Sequence, residues 1–163
     1  MKKAALVLFI IPLFTCFAFQ GKVNNADEEA AIKSVIEGEI TASFNGEYNT
    51  WQSYFVHEPY VVWMQGWQEG YACWKGWEDI SKSAKTFIKP ERKGKSINLG
   101  NSDYTIKIYG DVAFVSFKCK IKRVSKGKDH VEEATEARLM EKHEGSWKIA
   151  YLSSIFTTTY EYF

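Results

Sequence analysis

The chain has 163 residues, of which 45% are hydrophobic, 16% aromatic and 25% charged, with a formal net charge of +1. That length makes one domain the default. The near-neutral balance, without a basic run, excludes an electrostatic surface for nucleic acid.

The chain opens with MKKAALVLFIIPLFTCFAFQ. Lys2 and Lys3 precede an apolar run from Ala4 to Phe14, and Thr15, Cys16 and Ala18 follow. This is the build of a secretory signal peptide over residues 1–20. The run is shorter than the about 20 apolar residues of a membrane span, and Pro12 interrupts it. The segment predicts export, to a periplasm or to the medium. The alternatives are a retained anchor and lipid attachment at Cys16, for which Leu13-Phe14-Thr15 and Phe17 to Phe19 make a poor setting. Membrane contact is expected only if Cys16 is lipidated. The 21 basic residues less Lys2 and Lys3, set against 20 acidic ones, leave the remainder at −1.

Residues 21–27 form a polar leader, and 28–163 are expected to make one domain. DEEAAIKSVIEGEITASFNG places Ile32, Val35, Ile36, Ile40 and Phe44 at helical spacing. Asn25 and Glu28 form a capping-box pattern, and Gly46 ends the helix. EYNTWQSYF predicts a short second helix with Trp51, Tyr54 and Phe55 on one side. After Pro59, Tyr60 to Gln65 predicts a strand, and Gly66 and Gly70 bound a loop or hairpin tip. GWEDISKSAKTFIKP predicts a third helix with Ile80, Ala84, Phe87 and Ile88 inward. A short strand over Ser96 to Leu99 follows. Alternation then predicts strands around Tyr104–Ile108, over Val112–Val124, His130–His143 and Ser146–Thr157, with Gly-containing turns between them. Helices first and an antiparallel meander afterwards define an α+β layer fold.

Two cysteines lie beyond the leader, Cys73 and Cys119. Both free and paired states are open, with free and buried as the simpler reading. Three scattered histidines, His57, His130 and His143, do not make a metal set. The chain has no GxSxG, no Gly-rich phosphate loop and no HExxH, so no cofactor or metal is expected.

The element order, the stretch KGWEDISKSAKTF, and above all EARLMEKHEGSWKIAYLSS over residues 136–154 resemble the nuclear transport factor 2-like superfamily, and within it the SnoaL-like group. The resemblance spans nearly all of the chain after the leader. It implies a cone-shaped roll, in which three N-terminal helices pack on a strongly curved mixed or antiparallel sheet around a pocket. Members include isomerases, dehydratases and polyketide cyclases as well as binding and assembly modules, so the fold alone does not give function.

The family's arginine position matches Arg138, a forked donor for an oxyanion if it faces the pocket. Glu136 shares its strand face. Tyr151 and Ser153 stand where the family often carries histidines on the last strand, a departure that speaks against acid–base catalysis there but leaves hydrogen-bonding groups. His57 is then the candidate general base, with Glu58 and Asp103 as weaker choices. Trp63, Trp67, Trp74 and Trp77 crowd residues 61–77, and a buried aromatic covers about 150–250 Å². Trp63 and Trp77 are expected to fill core, and Trp67, Tyr71 and Trp74 to form a rim.

The sequence thus predicts an exported domain binding a small apolar or sugar-like ligand. Its expected contacts are Tyr54, Trp63, Trp67, Tyr71, Trp74, Tyr104, Arg138, Tyr151 and Ser153. The first alternative is an isomerase, cyclase or dehydratase using His57 and Arg138 on one cavity. The second is a structural module, and a homodimer suits all three.

Overall fold

A computed structural model describes residues 25–125 and 128–162. The signal-peptide reading of residues 1–20, and Cys16 with it, lies outside the described residues. The elements run α1 (Asn25–Asn45), α2 (Tyr48–Gln52), β1 (Val62–Trp67), β2 (Gly70–Lys75), α3 (Trp77–Phe87), a 3₁₀ turn (Pro90–Arg92), β3 (Ser96–Tyr109), β4 (Val112–Ser125), β5 (Lys128–His143) and β6 (Ser146–Tyr162). The six strands form one sheet in the order β2-β1-β6-β5-β4-β3. All neighbours are antiparallel except β1 and β6, which run parallel. The sheet does not close on itself, and the three helices lie in its hollow.

The hollow is filled from both layers. Ile32, Ile36 and Ile40 of α1 recur at helical spacing and are buried, as are Ile80 and Ala84 of α3. Ala113, Val115, Phe117, Cys119 and Ile121 alternate along β4 and face them. Trp51 of α2 sits centrally, with ring centroids 4.3 Å from Phe55, 5.8 Å from Trp63 and 6.1 Å from Trp77. Each buried aliphatic side chain contributes about 1.5–3 kcal/mol relative to exposure.

Gly46 ends α1 with φ +72°, and a Cβ there would lie 2.2 Å from the Lys89 carbonyl oxygen. The position therefore needs glycine twice over, for its backbone angle and for the close approach of the α3–β3 connection.

The structure departs from the sequence expectations in several places. α1 starts at Asn25, inside the stretch read as a leader. Glu28, read as a capping partner, instead reaches across to β5 and β6. Its Oε1 accepts from Lys142 Nζ at 2.6 Å and its Oε2 from Trp147 Nε1 at 2.6 Å. The hairpin tip expected between Gly66 and Gly70 is present, and residues 70–75, to which no element was assigned from sequence, form its second strand. Ser96 to Tyr109 is one strand, irregular between Asn98 and Gly100 and between Ser102 and Thr105. Cys73 is exposed, Cys119 is buried, and neither is in a disulfide.

The most consequential departure is in β6. Leu139 pairs with Tyr151, but the next residue, Met140, pairs with Ile149, so Ala150 is an extra residue. A bulge of this kind reverses which side chains face inward beyond it. Trp147 and Ile149 face the core before it, and Leu152, Ser154 and Phe156 face the hollow after it. The expected single face Trp147–Ile149–Tyr151–Ser153–Ile155 is therefore split. Tyr151, Ser153 and Ile155 turn to the outer side, where Ser153 neighbours Met64 and Ala137 across the strands.

Candidate functional site: a buried carboxylate–arginine cluster under an aromatic vestibule

Strand register builds the site. Arg138 and Glu136 of β5 lie opposite Leu152 and Ser154 of β6, which in turn lie opposite Trp63 and Gln65 of β1. On the other side of β5, Glu136 lies opposite Phe117 of β4. From the helical layer, Glu39 follows the apolar face of α1, three residues after Ile36. Glu39, Trp63, Gln65, Glu136, Arg138, Leu152 and Ser154 border a cavity of about 70 Å³, with Ile40, Ser43, Phe44, Trp51, Cys119 and Phe156 among its other walls. It adjoins a vestibule of about 370 Å³ that shares Ser43, Phe44, Trp63, Gln65, Arg123 and Phe156 with it. Trp67, Phe87, Ile88, Arg92, Ser96 and Glu132 complete the vestibule wall.

At the base, Arg138 is 2% exposed and Glu39 4%. Arg138 Nη2 lies 2.7 Å from Glu136 Oε2 and 3.4 Å from Glu39 Oε2. Its Nη1 donates to the carbonyls of Ala137 at 3.2 Å and Ser153 at 3.4 Å. Its plane is backed by Phe117, 5.4 Å from guanidinium carbon to ring centroid. Trp51 Nε1 donates to Glu39 Oε1 at 2.7 Å. One cation thus serves two buried carboxylates. Burial raises the Glu39 pKa; Arg138 and the Trp51 hydrogen bond oppose the rise, and Glu136 adds to it. Burial likewise works against the charge of Arg138, but the two carboxylates overcome it and raise its pKa.

Three buried polar atoms of the cavity residues lack a hydrogen-bond partner: Arg138 Nε, Trp63 Nε1 and Glu136 Oε2. The Glu136 oxygen is close to the guanidinium but not aligned with one of its N–H bonds. Orphaned groups of this kind cost about 1–3 kcal/mol each when left unmade. All three atoms belong to residues that line the inner cavity.

The residues expected from sequence distribute as follows. Arg138 and Trp63 reach the inner cavity. Trp67 lines the vestibule, 44% exposed, its ring parallel to Phe156 at 6.4 Å. Trp74 packs behind Trp63 and Phe87 instead of lining either space. Trp77 is half-buried between Trp51 and His57. Tyr71 is 73% exposed, outside the vestibule wall. Tyr104 stacks on Phe117 at 5.0 Å in the core margin. Tyr54 lies over Gly38 of α1, where a Cβ would meet its hydroxyl at 2.3 Å. Tyr151 and Ser153 are turned away by the bulge.

His57 is exposed, stacked on Trp77 at 3.9 Å, with Nε2 2.9 Å from the Gln52 carbonyl oxygen. It lines a surface recess with Glu58, Pro59 and Glu78. His57 and Arg138 do not share a cavity, which corrects the expectation of a paired base and oxyanion donor.

Glu39 was not among the residues singled out from sequence, nor were Ser154 and Phe156. The available signal for Glu39 was its position on the apolar face of α1, next to Ile40 and one turn after Ile36.

Three helices cradled by an open six-stranded mixed sheet define a cone of the nuclear transport factor 2-like class. The SnoaL-like domain profile matches residues 32–157, and the chain belongs to that family. Comparison with curated protein sequences gives no significant match. Among solved structures, the chain is similar to a provisionally assigned dehydratase of the nuclear transport factor 2-like family from Streptomyces avermitilis. That pair has a TM-score of 0.71 and 12% identity, over 83% of this chain and 100% of the other. A nuclear transport factor 2-like superfamily protein from Salmonella enterica gives 0.67 and 15%, over 83% and 95%. Hexachlorocyclohexane dehydrochlorinase LinA-type3 from Novosphingobium barchaimii gives 0.67 and 13%, over 85% and 92%. At these identities the likeness is one of fold.

Proposed function

We propose that this SnoaL-like domain binds a small, largely apolar molecule, with one uncharged polar group of that molecule seated at the base of the cavity. The observation that carries the reading is the trio of orphaned atoms. Arg138 Nε and Trp63 Nε1 are buried donors without an acceptor, and Glu136 Oε2, ion-paired with the guanidinium at 2.7 Å, has lone-pair capacity left for a donor. A hydroxyl group is both. Arg138 already faces two carboxylates, so an anion entering at the base meets no spare positive charge. Above it, Trp67, Phe87 and Phe156 offer apolar surface for the body of the ligand, the usual composition of a binding site. The sequence of residues 1–20 supports export of the domain.

The reading is tested by calorimetric titration and thermal unfolding with 2-naphthol and naphthalene. Naphthol at one hundred times its Kd is expected to stabilise the fold by about 2.7 kcal/mol, and naphthalene much less. Equal responses to the two, or none to either, end the reading.

A second reading is supported by Glu39. A buried carboxyl whose pKa is raised by burial, held by a guanidinium and an indole N–H beside a cavity, is equipped for proton transfer. The dehydrochlorinase among the structural neighbours is in keeping with that chemistry. Exchange of the α-protons of 2-tetralone with deuterium oxide, followed by NMR, tests it. Wild type is expected to accelerate exchange and Glu39→Gln to abolish the acceleration; no acceleration by wild type removes the reading.

A further inference from the structure

We infer that the ligand is a monoanion that enters tail first: its uncharged polar end lies at Arg138 and its anionic group, a carboxylate or an equivalent acid, stays at the rim beside Arg92 and Arg123. The inference rests on the binding reading above and adds charge and orientation to it.

The two ends of the site differ in charge. The base holds Arg138 against Glu39 and Glu136, one positive group facing two acidic ones. The vestibule holds Arg92 and Arg123 against Glu132. Arg123 is tied down: its Nε lies 2.6 Å from Glu132 Oε2, and its Nη1 donates to Ser96 Oγ at 3.1 Å. Its guanidinium also sits 5.6 Å from the Phe156 ring. Glu132 is in turn shared with His130 at 3.0 Å. Arg92 is the group left over. It is exposed, its guanidinium lies 5.8 Å from the Phe87 ring, and no carboxylate among the described residues is paired with it. The local field therefore runs from acidic inside to basic outside, over an aromatic wall made of Phe87, Trp67 and Phe156. An amphiphile with its acid outward lies along this field, and the reverse orientation opposes it at both ends. Keeping the acid at the rim also leaves it partly hydrated, which avoids the cost of burying an unpaired charge.

The test compares 6-hydroxy-2-naphthoate with its methyl ester, and 10-hydroxydecanoate with its methyl ester, by calorimetry at low salt. Each acid is expected to bind about tenfold tighter than its ester, and Arg92→Gln to erase that difference, so that acid and ester bind the variant alike. Raised salt is expected to weaken the acids selectively. Acid and ester binding equally to wild type overturns the inference, and so does an acid preference that survives in Arg92→Gln. In either case a preference for 2-naphthol over naphthalene shows that the pocket reading itself still stands. If neither acids, esters nor 2-naphthol bind, both fall together.

Discussion

The interior of this cone holds the same trio of residue types twice, and the two copies behave in opposite ways. At one end, Glu28 of α1 meets Lys142 of β5 and the indole N–H of Trp147. At the other, Glu39 of α1 meets Arg138 of β5 and the indole N–H of Trp51. The first set is partly open to water. The hydrogen bonds from Lys142 and Trp147 hold the Glu28 pKa below its ordinary value. The second set is buried, burial raises the Glu39 pKa, and a further carboxylate, Glu136, shares its one cation. The comparison teaches that a glutamate, a cation and a tryptophan are structural glue when satisfied. The same three become a candidate site when walled off and left incomplete.

The largest effect that sharpens this contrast is expected from Arg138→Met. It leaves two buried carboxylates without a cation and should cost about 3–5 kcal/mol at pH 7 by chemical denaturation. The loss should shrink as acid protonates both groups. Lys142→Met at the more open end should cost much less, and equal losses would erase the distinction.

The next effect is on pH dependence. Because the folded pKa of Glu39 is raised, its contribution is fully present below the unfolded value near 4.5 and is lost as pH rises through the folded pKa. Glu39→Gln should therefore match wild type in acid and exceed it at neutral pH, on the order of 1 kcal/mol. Glu28 is the reverse: its pKa is lowered, so its contribution is present above about 4.5 and lost as pH falls through the folded value. Glu28→Gln should be less stable than wild type at neutral pH and equal to it in acid. Stability curves of the two variants with the same slope would contradict the assignment.

Smaller still is Trp67→Ala at the mouth. Stability should change by less than about 1 kcal/mol, whereas affinity for 2-naphthol should fall about fivefold. The smallest effect is chemical. Cys73 should react with maleimide in the native state, as mass spectrometry will show. Cys119, whose thiol burial pushes up to about 12, should react only after denaturation.

Much of the fold was legible because it obeys simple periods. The isoleucines of α1 repeat at helical spacing, the apolar residues of β4 alternate, and glycine-containing turns separate the last strands. β2 was not legible, since GYACWK is largely exposed and carries no two-sided contrast. β3 was read as two pieces because Gly100 and Asp103, the latter at φ 55°, look like chain reversals yet are absorbed as irregularities within one strand. Arg138 could be picked out because it stands at the family's arginine position, and Trp63 because four tryptophans crowd residues 61–77. Glu39 was hidden, since an acid on a helix ordinarily points to water. The bulge at Ala150 was hidden more deeply. No glycine or proline marks it, and alternation read through it puts Tyr151 and Ser153 where Leu152 and Ser154 belong.

Gly46 has a reach that its size does not suggest. Its Cα leans against the backbone of Lys89, and only three residues later Arg92 hangs over the entrance. Any side chain at position 46 must push that connection outward and carry the guanidinium with it. A survey of variants would then score residue 46 as though it touched the guest, although the effect is transmitted as simple displacement from the end of one helix to a doorway just past the end of another.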